Sequence, residues 1–118
     1  MHIRRLMRYI RHRRVRKKVI GTAQKPRLII FKGARTLFAQ VIDDTASKTL
    51  IGIASNSKEL KSLIKGPNIE GAKILGKFIA EKCKEKGIKE VILDRGGYKY
   101  HGVIKSFADS VRENGVKI

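Results

Sequence analysis

Thirteen Lys and Arg and not one Asp or Glu occupy the stretch from Met1 to Ile42, and this one-sided charge limits the possible folds more than any other feature of the chain. Its first part, Met1 to Lys25, holds ten of those cations with few apolar residues between them. Such a segment cannot bury enough surface to offset the entropy of ordering itself. Residues 1–25 therefore read as a basic arm and 26–118 as a single domain. Within the arm, Ile3, Leu6, Met7 and Ile10 recur at helical spacing, so Ile3 to Lys18 is expected to become helical once phosphate neutralises Arg4, Arg8, Arg11 and their neighbours. Free of an anionic partner, the arm is expected to be largely disordered.

From Asp43 onward the charges mix, with 15 Lys and Arg against 10 acids, but the chain of 118 residues still carries a formal net charge of +18. A compact body with that charge repels itself, which predicts a polyanionic partner and a monomer that self-associates only weakly. The length suits one core and not two. One cysteine, Cys83, permits no internal disulfide, and no Cys or His spacing suits zinc, so a metal-free, cofactor-free protein of a reducing compartment, the cytoplasm, is expected. No apolar run approaches the roughly 18 residues of a membrane span, and the basic N-terminus lacks the apolar stretch and small-residue cleavage site of a secretory signal, so export is not expected.

Apolar runs at Leu28 to Phe31, Leu37 to Ile42 and Thr49 to Ala54, separated by Gly33-Ala34 and by Asp43 to Ser47, predict an antiparallel three-strand meander. Asn68 is placed to cap a helix whose apolar residues Ile69, Ala72, Gly76, Ile79 and Cys83 step by three and four until Gly87. Val91-Ile92-Leu93 reads as a short strand, apolar on both faces and so suited to the inside of a sheet. Val103, Ile104, Phe107, Ala108 and Val111 then mark a last helix ending near Asn114-Gly115. The expected fold is α+β: a mixed sheet of three meander strands plus a fourth, with two helices on one face and the basic arm in front.

Phosphate neutralisation is what the arm's residue types suit: Arg4, Arg5, Arg8, Arg11, His12, Arg13, Arg14, Arg16, Lys17, Lys18 and Lys25 are all candidates for RNA contact. A merely solubilising tail would carry both signs of charge. The loop Asp94-Arg95-Gly96-Gly97-Tyr98-Lys99-Tyr100-His101-Gly102 packs glycines, aromatics and cations between a strand and a helix. Its glycines let backbone amides approach a phosphate, its tyrosines can stack on bases, and Arg95 and Lys99 can pair with phosphates. The plainer alternative is a tight turn in which Gly96 and Gly97 satisfy backbone geometry and one tyrosine caps the core. On residue chemistry the two readings balance. Lys32, Arg35 and Gln40 lie on or between the first strands, where a sheet face can meet RNA. Phe31 and Phe38 read as core aromatics, Cys83 as buried filler, and His101 lacks a Ser or Cys neighbour for catalysis.

Taken together, Lys25-Pro26-Arg27-Leu28, Phe38-Ala39-Gln40-Val41-Ile42-Asp43 and above all Asp94 to Gly102 closely resemble the family of bacterial large-subunit ribosomal proteins numbered eighteen, over nearly the whole chain. The resemblance implies a structural, non-catalytic protein that binds 5S rRNA and helps attach it to the large-subunit rRNA in the central protuberance, among neighbouring large-subunit proteins. By the same resemblance Arg27, Phe31, Lys32 and Gln40, with the loop Arg95, Gly96, Gly97, Tyr98, Lys99, Tyr100 and His101, join the arm as RNA-contact candidates. The chain departs from the family pattern at Gly33 to Thr36, at Val103 and at its final four residues.

Two rivals remain from the residues alone. A meander followed by helix, strand and helix is similar to part of the ribonuclease H arrangement, but a two-metal nuclease needs converging carboxylates and the first strand carries none, which leaves Asp43, Asp44, Glu70 and Asp94 scattered. Asp43 and Asp44 read more simply as turn residues, and Asp94 as an orienter of Arg95 or the glycine loop. A general RNA binder or chaperone shares the charge, and selectivity for one folded RNA separates it from the ribosomal reading.

Overall fold

The structure, a computed structural model, describes residues 3–16, 20–95 and 98–118. In chain order its elements are α1 (Ile3–Arg16), β1 (Arg27–Lys32), β2 (Leu37–Asp43), β3 (Lys48–Ala54), α2 (Ile69–Glu85), β4 (Ile92–Asp94) and α3 (Val103–Glu113). The strands form a mixed sheet in the order β3-β2-β1-β4, antiparallel in the meander and parallel between β1 and β4. This is the α+β architecture that the apolar spacing predicts. No helix among the described residues is long and apolar enough to cross a membrane.

Alternation along the strands sends every second side chain to the helices. Leu28 and Ile30 of β1, Leu37, Ala39 and Val41 of β2, and Ile51 of β3 are buried in one cluster with Leu75 and Ile79 of α2 and Ile104, Phe107 and Val111 of α3. Each fully buried Leu, Ile or Phe there contributes about 1.5–3 kcal/mol of transfer free energy. Asn68 does cap α2: its side-chain oxygen accepts the Gly71 N–H at 2.8 Å. The two helices cross closely because Gly76 has no side chain; a Cβ there would lie 2.8 Å from the Phe107 carbonyl oxygen. Ser110 seals the crossing by donating its hydroxyl to the Lys73 carbonyl at 2.6 Å.

Two expectations need correction. β4 pairs with β1 alone, so as a strand it sits at the sheet's edge, not inside it. Just before β4 the C-terminal tail pairs with the chain: Val91 N–H donates to the Lys117 carbonyl at 2.8 Å, and Val91 and Val116 are buried in the same core. The tail forms one parallel bridge, Glu90 with Lys117, and is not itself a strand. Phe31 and Phe38, paired across β1 and β2, lie outside that core on the sheet face away from α2 and α3; Phe31 is 40% exposed and the two ring centroids stand 6.3 Å apart. Their positions alternate with Ile30, Leu37 and Ala39, so once those residues face the helices the phenylalanines cannot.

Candidate nucleic-acid interface

β1 begins with a cation that the fold takes inside. Arg27 is only 4% exposed, and its guanidinium donates to Asp94 at 2.7 Å and to both carboxylate oxygens of Asp44 at 3.0 and 3.1 Å. The parallel β1–β4 register, which sets Ile29 beside Asp94, brings Asp94 within reach, and the β2–β3 turn supplies Asp44. Burial by itself disfavours the charged guanidinium, but the hydrogen bonds and charges of the two carboxylates outweigh it and hold the Arg27 pKa above its ordinary value. Asp44 also accepts the Gly21 N–H at 2.7 Å. Gly21 is itself buried, and any Cβ there would collide with the backbone nitrogen of Arg27. One ion-pair cluster thus ties together the end of the basic segment, the start of β1, the β2–β3 turn and the base of the glycine-rich loop.

Of the neighbouring acids, Asp43 is the turn residue: its Oδ1 accepts the Thr45 N–H at 3.0 Å and the Thr45 hydroxyl at 2.6 Å. Asp44 and Asp94 do converge in space, but on the Arg27 guanidinium. Asp94, read from sequence as an orienter of Arg95 or the glycine loop, is fully buried and accepts from the Arg27 guanidinium. Sequence reading missed this cluster because its members lie 17 and 67 positions apart. Among the described residues no three His, Cys, Asp or Glu side chains are grouped to hold a metal ion.

Beyond Asp94 the chain crosses Gly96 and Gly97, which lie outside the described residues, and reaches Tyr98. The Tyr98 hydroxyl accepts the Lys32 N–H at 3.1 Å and donates to the Lys32 carbonyl at 3.0 Å, closing the loop onto the end of β1. Its ring packs on the core and is covered by the Arg8 guanidinium, 4.7 Å from the ring centroid. Tyr100 is held from the other side, its hydroxyl accepting from Arg112 at 2.9 Å. Lys99 and His101, which flank Tyr100, are exposed, and Arg95 is half-buried. Gly102 takes φ 54°, a backbone conformation favoured by glycine, and α3 starts directly after it.

The remaining predicted contacts fall on two surfaces. On or beside the sheet, Phe31, Lys32 and Arg35 are exposed, Gln40 is half-buried, and Lys25 is exposed just before β1. Gln40 sits opposite Ile29 on β1 and Gly52 on β3, on the same side as Phe31 and Phe38. On α1, Arg4 and Arg5 are exposed and Arg8 and Arg11 half-buried; Ile3, Arg4, Met7 and Arg11 line a shallow concavity with Lys99. His12, Arg13, Arg14 and Arg16 fall on the last turns of α1, while Lys17 and Lys18 lie outside the described residues. Arm helix, loop and the end of β1 therefore carry cations on adjoining surfaces. By contrast α2 and α3 present both signs, with ion pairs Lys82–Glu85, Lys105–Asp109 and Arg112–Asp109.

A family model described as ribosomal L18 of archaea, bacteria, mitochondria and chloroplasts matches residues 2–118. The chain belongs to this ribosomal L18 family. A relative from Dictyoglomus thermophilum, named large ribosomal subunit protein uL18, is 50% identical over 112 residues, which is 94% of this chain and 92% of that one. A protein of the same name from Solibacter usitatus is 51% identical over 106 residues, 90% of this chain and 87% of that one. Ribosomal L18 proteins are structural ribosomal components and not enzymes, which sets aside the nuclease reading of the ribonuclease H-like element order.

Proposed function

We propose that this L18-family chain binds 5S rRNA and helps attach it to large-subunit rRNA in the central protuberance of the cytoplasmic ribosome, beside other large-subunit proteins. Carrying this reading is the adjoining of α1, the Tyr98 to His101 segment and the end of β1 in one cationic region, while the acids nearest to it, Asp43, Asp44 and Asp94, are bound up in the turn and in the Arg27 cluster. A surface on which cations outnumber acids in this way attracts a polyanion. Specificity for a folded RNA fits the sheet side, where Phe31 and Gln40 offer an aromatic face and a hydrogen-bonding amide beside the cations. Arg27 serves this surface from inside by holding the loop base, and Arg4, Arg5, Arg8, Arg11, Lys25, Lys32, Arg35, Lys99 and His101 supply the outward contacts. No cofactor or small-molecule substrate enters the proposal.

A competition assay tests it: labelled 5S rRNA bound by the full chain is challenged with unlabelled 5S rRNA or transfer RNA across a salt series. Preference for 5S rRNA that persists as salt rises supports the proposal, and equal competition by transfer RNA refutes it in favour of a general RNA binder.

A further inference from the structure

An isolated helix of 14 residues is marginal in water, and α1 works against itself further, with no acid in its first turn and Arg4 and Arg8 one turn apart on the same side. Its helical state needs support from the rest of the molecule. A specific support is visible at Tyr98, whose ring carries the Arg8 guanidinium at 4.7 Å and whose hydroxyl makes two hydrogen bonds to the Lys32 backbone, at 3.1 and 3.0 Å. The same tyrosine thus touches α1 with its face and β1 with its tip. On the same helix Ile3, Arg4, Met7 and Arg11 line a concavity with Lys99, the residue next to Tyr98.

We propose that Tyr98 is a positioning residue that clamps α1 to β1, so that α1 and Lys99 form one preassembled cleft that holds a single run of RNA phosphates. This deepens the RNA-binding reading and rests on it. It assigns Tyr98 a role different from stacking on a base: one ring face is covered by a cation, and the hydroxyl is engaged on both its donor and its acceptor side. Cation–π contact and hydroxyl hydrogen bonds are individually modest, but here they act through one side chain that joins two elements.

Two readouts on the full chain test the clamp. Hydrogen exchange of the α1 amides in the free protein is compared for wild type, Tyr98→Phe, Tyr98→Leu, Arg8→Ala and the double variant Arg8→Ala/Tyr98→Leu. Exchange is expected to rise in Tyr98→Leu and in Arg8→Ala, with little further rise in the double variant, because both remove the same contact. Binding of 5S rRNA is then measured across a salt series. Tyr98→Phe keeps the ring and loses the hydroxyl bonds, and is expected to weaken binding by about threefold to tenfold without changing the salt slope, since no cation is lost. A stacking tyrosine would predict wild-type affinity for Tyr98→Phe, and that result overturns the clamp, as does unchanged exchange in Tyr98→Leu. Should wild type show no preference for 5S rRNA, the proposed function fails while the exchange data still decide whether Tyr98 holds α1.

Discussion

Replacing Arg27 by Met probes how much of the domain depends on its internal ion-pair cluster. Met keeps most of the buried stem's volume and removes the guanidinium. Of the two carboxylates left behind, Asp44 has a side chain 21% exposed and can regain water, so its share of the loss is small, at most about 1 kcal/mol. Asp94 is different: its side chain is fully buried, with the guanidinium 2.7 Å away. Removing one partner of such a pair costs about 3–5 kcal/mol, because the remaining charge keeps its desolvation penalty without its counter-charge. Against a total stability of about 5–15 kcal/mol, this is a large fraction of what holds the domain. With a urea dependence of about 1–2 kcal/mol per molar, the unfolding midpoint is expected to fall by about 1.5–5 M. Urea titration followed by circular dichroism, in moderate salt to damp self-repulsion, measures it. The companion variant Arg27→Met/Asp94→Leu removes the stranded charge and is expected to recover most of the loss. A single-variant loss below about 1 kcal/mol, or a double variant as unstable as the sum of its two singles, would refute the assignment of Arg27 as a buried structural ion and return it to the surface contacts.

At the helix crossing, Gly76→Val places a branched side chain where a Cβ already comes within 2.8 Å of the Phe107 carbonyl oxygen and the Ser110 Cβ; thermal unfolding is expected to show a loss of about 2–3 kcal/mol. Asn68→Ala removes the hydrogen bond to Gly71 and should cost about 1 kcal/mol in the same assay, with Asn68→Ser restoring most of it. Burial pushes the Cys83 thiol from 9.0 up to about 11, so the folded state binds its proton more tightly; stability is fully present below pH 9 and is lost as pH rises from about 9 to 11. Denaturation across that window should show a steeper decline for wild type than for Cys83→Ala. In RNA binding, Lys99→Ala is expected to reduce the salt slope by about one phosphate contact while leaving the unfolding midpoint unchanged.

What the sequence made legible were features set by near neighbours. Asn68 stands directly before an apolar stripe at steps of three and four, and it caps α2; the meander follows from three apolar runs separated by turn residues. Alternation also held the information that Phe31 and Phe38 face away from Leu28, Ile30 and Leu37, although aromatic residues in strands invite assignment to a core. Leu60 and Ile64 are buried from a short turn-forming segment where Leu60, Leu63 and Ile64 stand at helical spacing, a stretch too brief to read as a helix. The Arg27 cluster is of a different kind. An arginine in a run of cations reads as one more outward contact, and only the β1–β4 pairing brings Asp94 to it. Asp43 and Asp44 are adjacent and chemically identical, yet alternation separates them: one closes its own turn and the other reaches across to Gly21 and Arg27.

Those inward carboxylates bear on how a chain of net charge +18 can fold and still present a cationic surface. Spreading acids evenly would stabilise the fold but weaken attraction to RNA everywhere. Here most acids lie on α2, α3 and the segments leading to them, where lysines accompany them and ion pairs form. No acid lies on α1 or β1, and Asp94, the one at the loop's base, is matched inside by Arg27. Exchanging that pair for apolar residues would leave the net charge unchanged, whereas neutralising Arg27 alone would make the region beneath the loop proposed to meet phosphate more negative by one charge. Arg27→Met is therefore expected to weaken RNA binding beyond its effect on folding, and Arg27→Met/Asp94→Leu to restore binding together with stability, although neither changes a cation on the surface. Affinity measured at a urea-free temperature where both variants are folded separates the two effects: equal affinities for the single and double variants would show that the buried pair acts on stability alone.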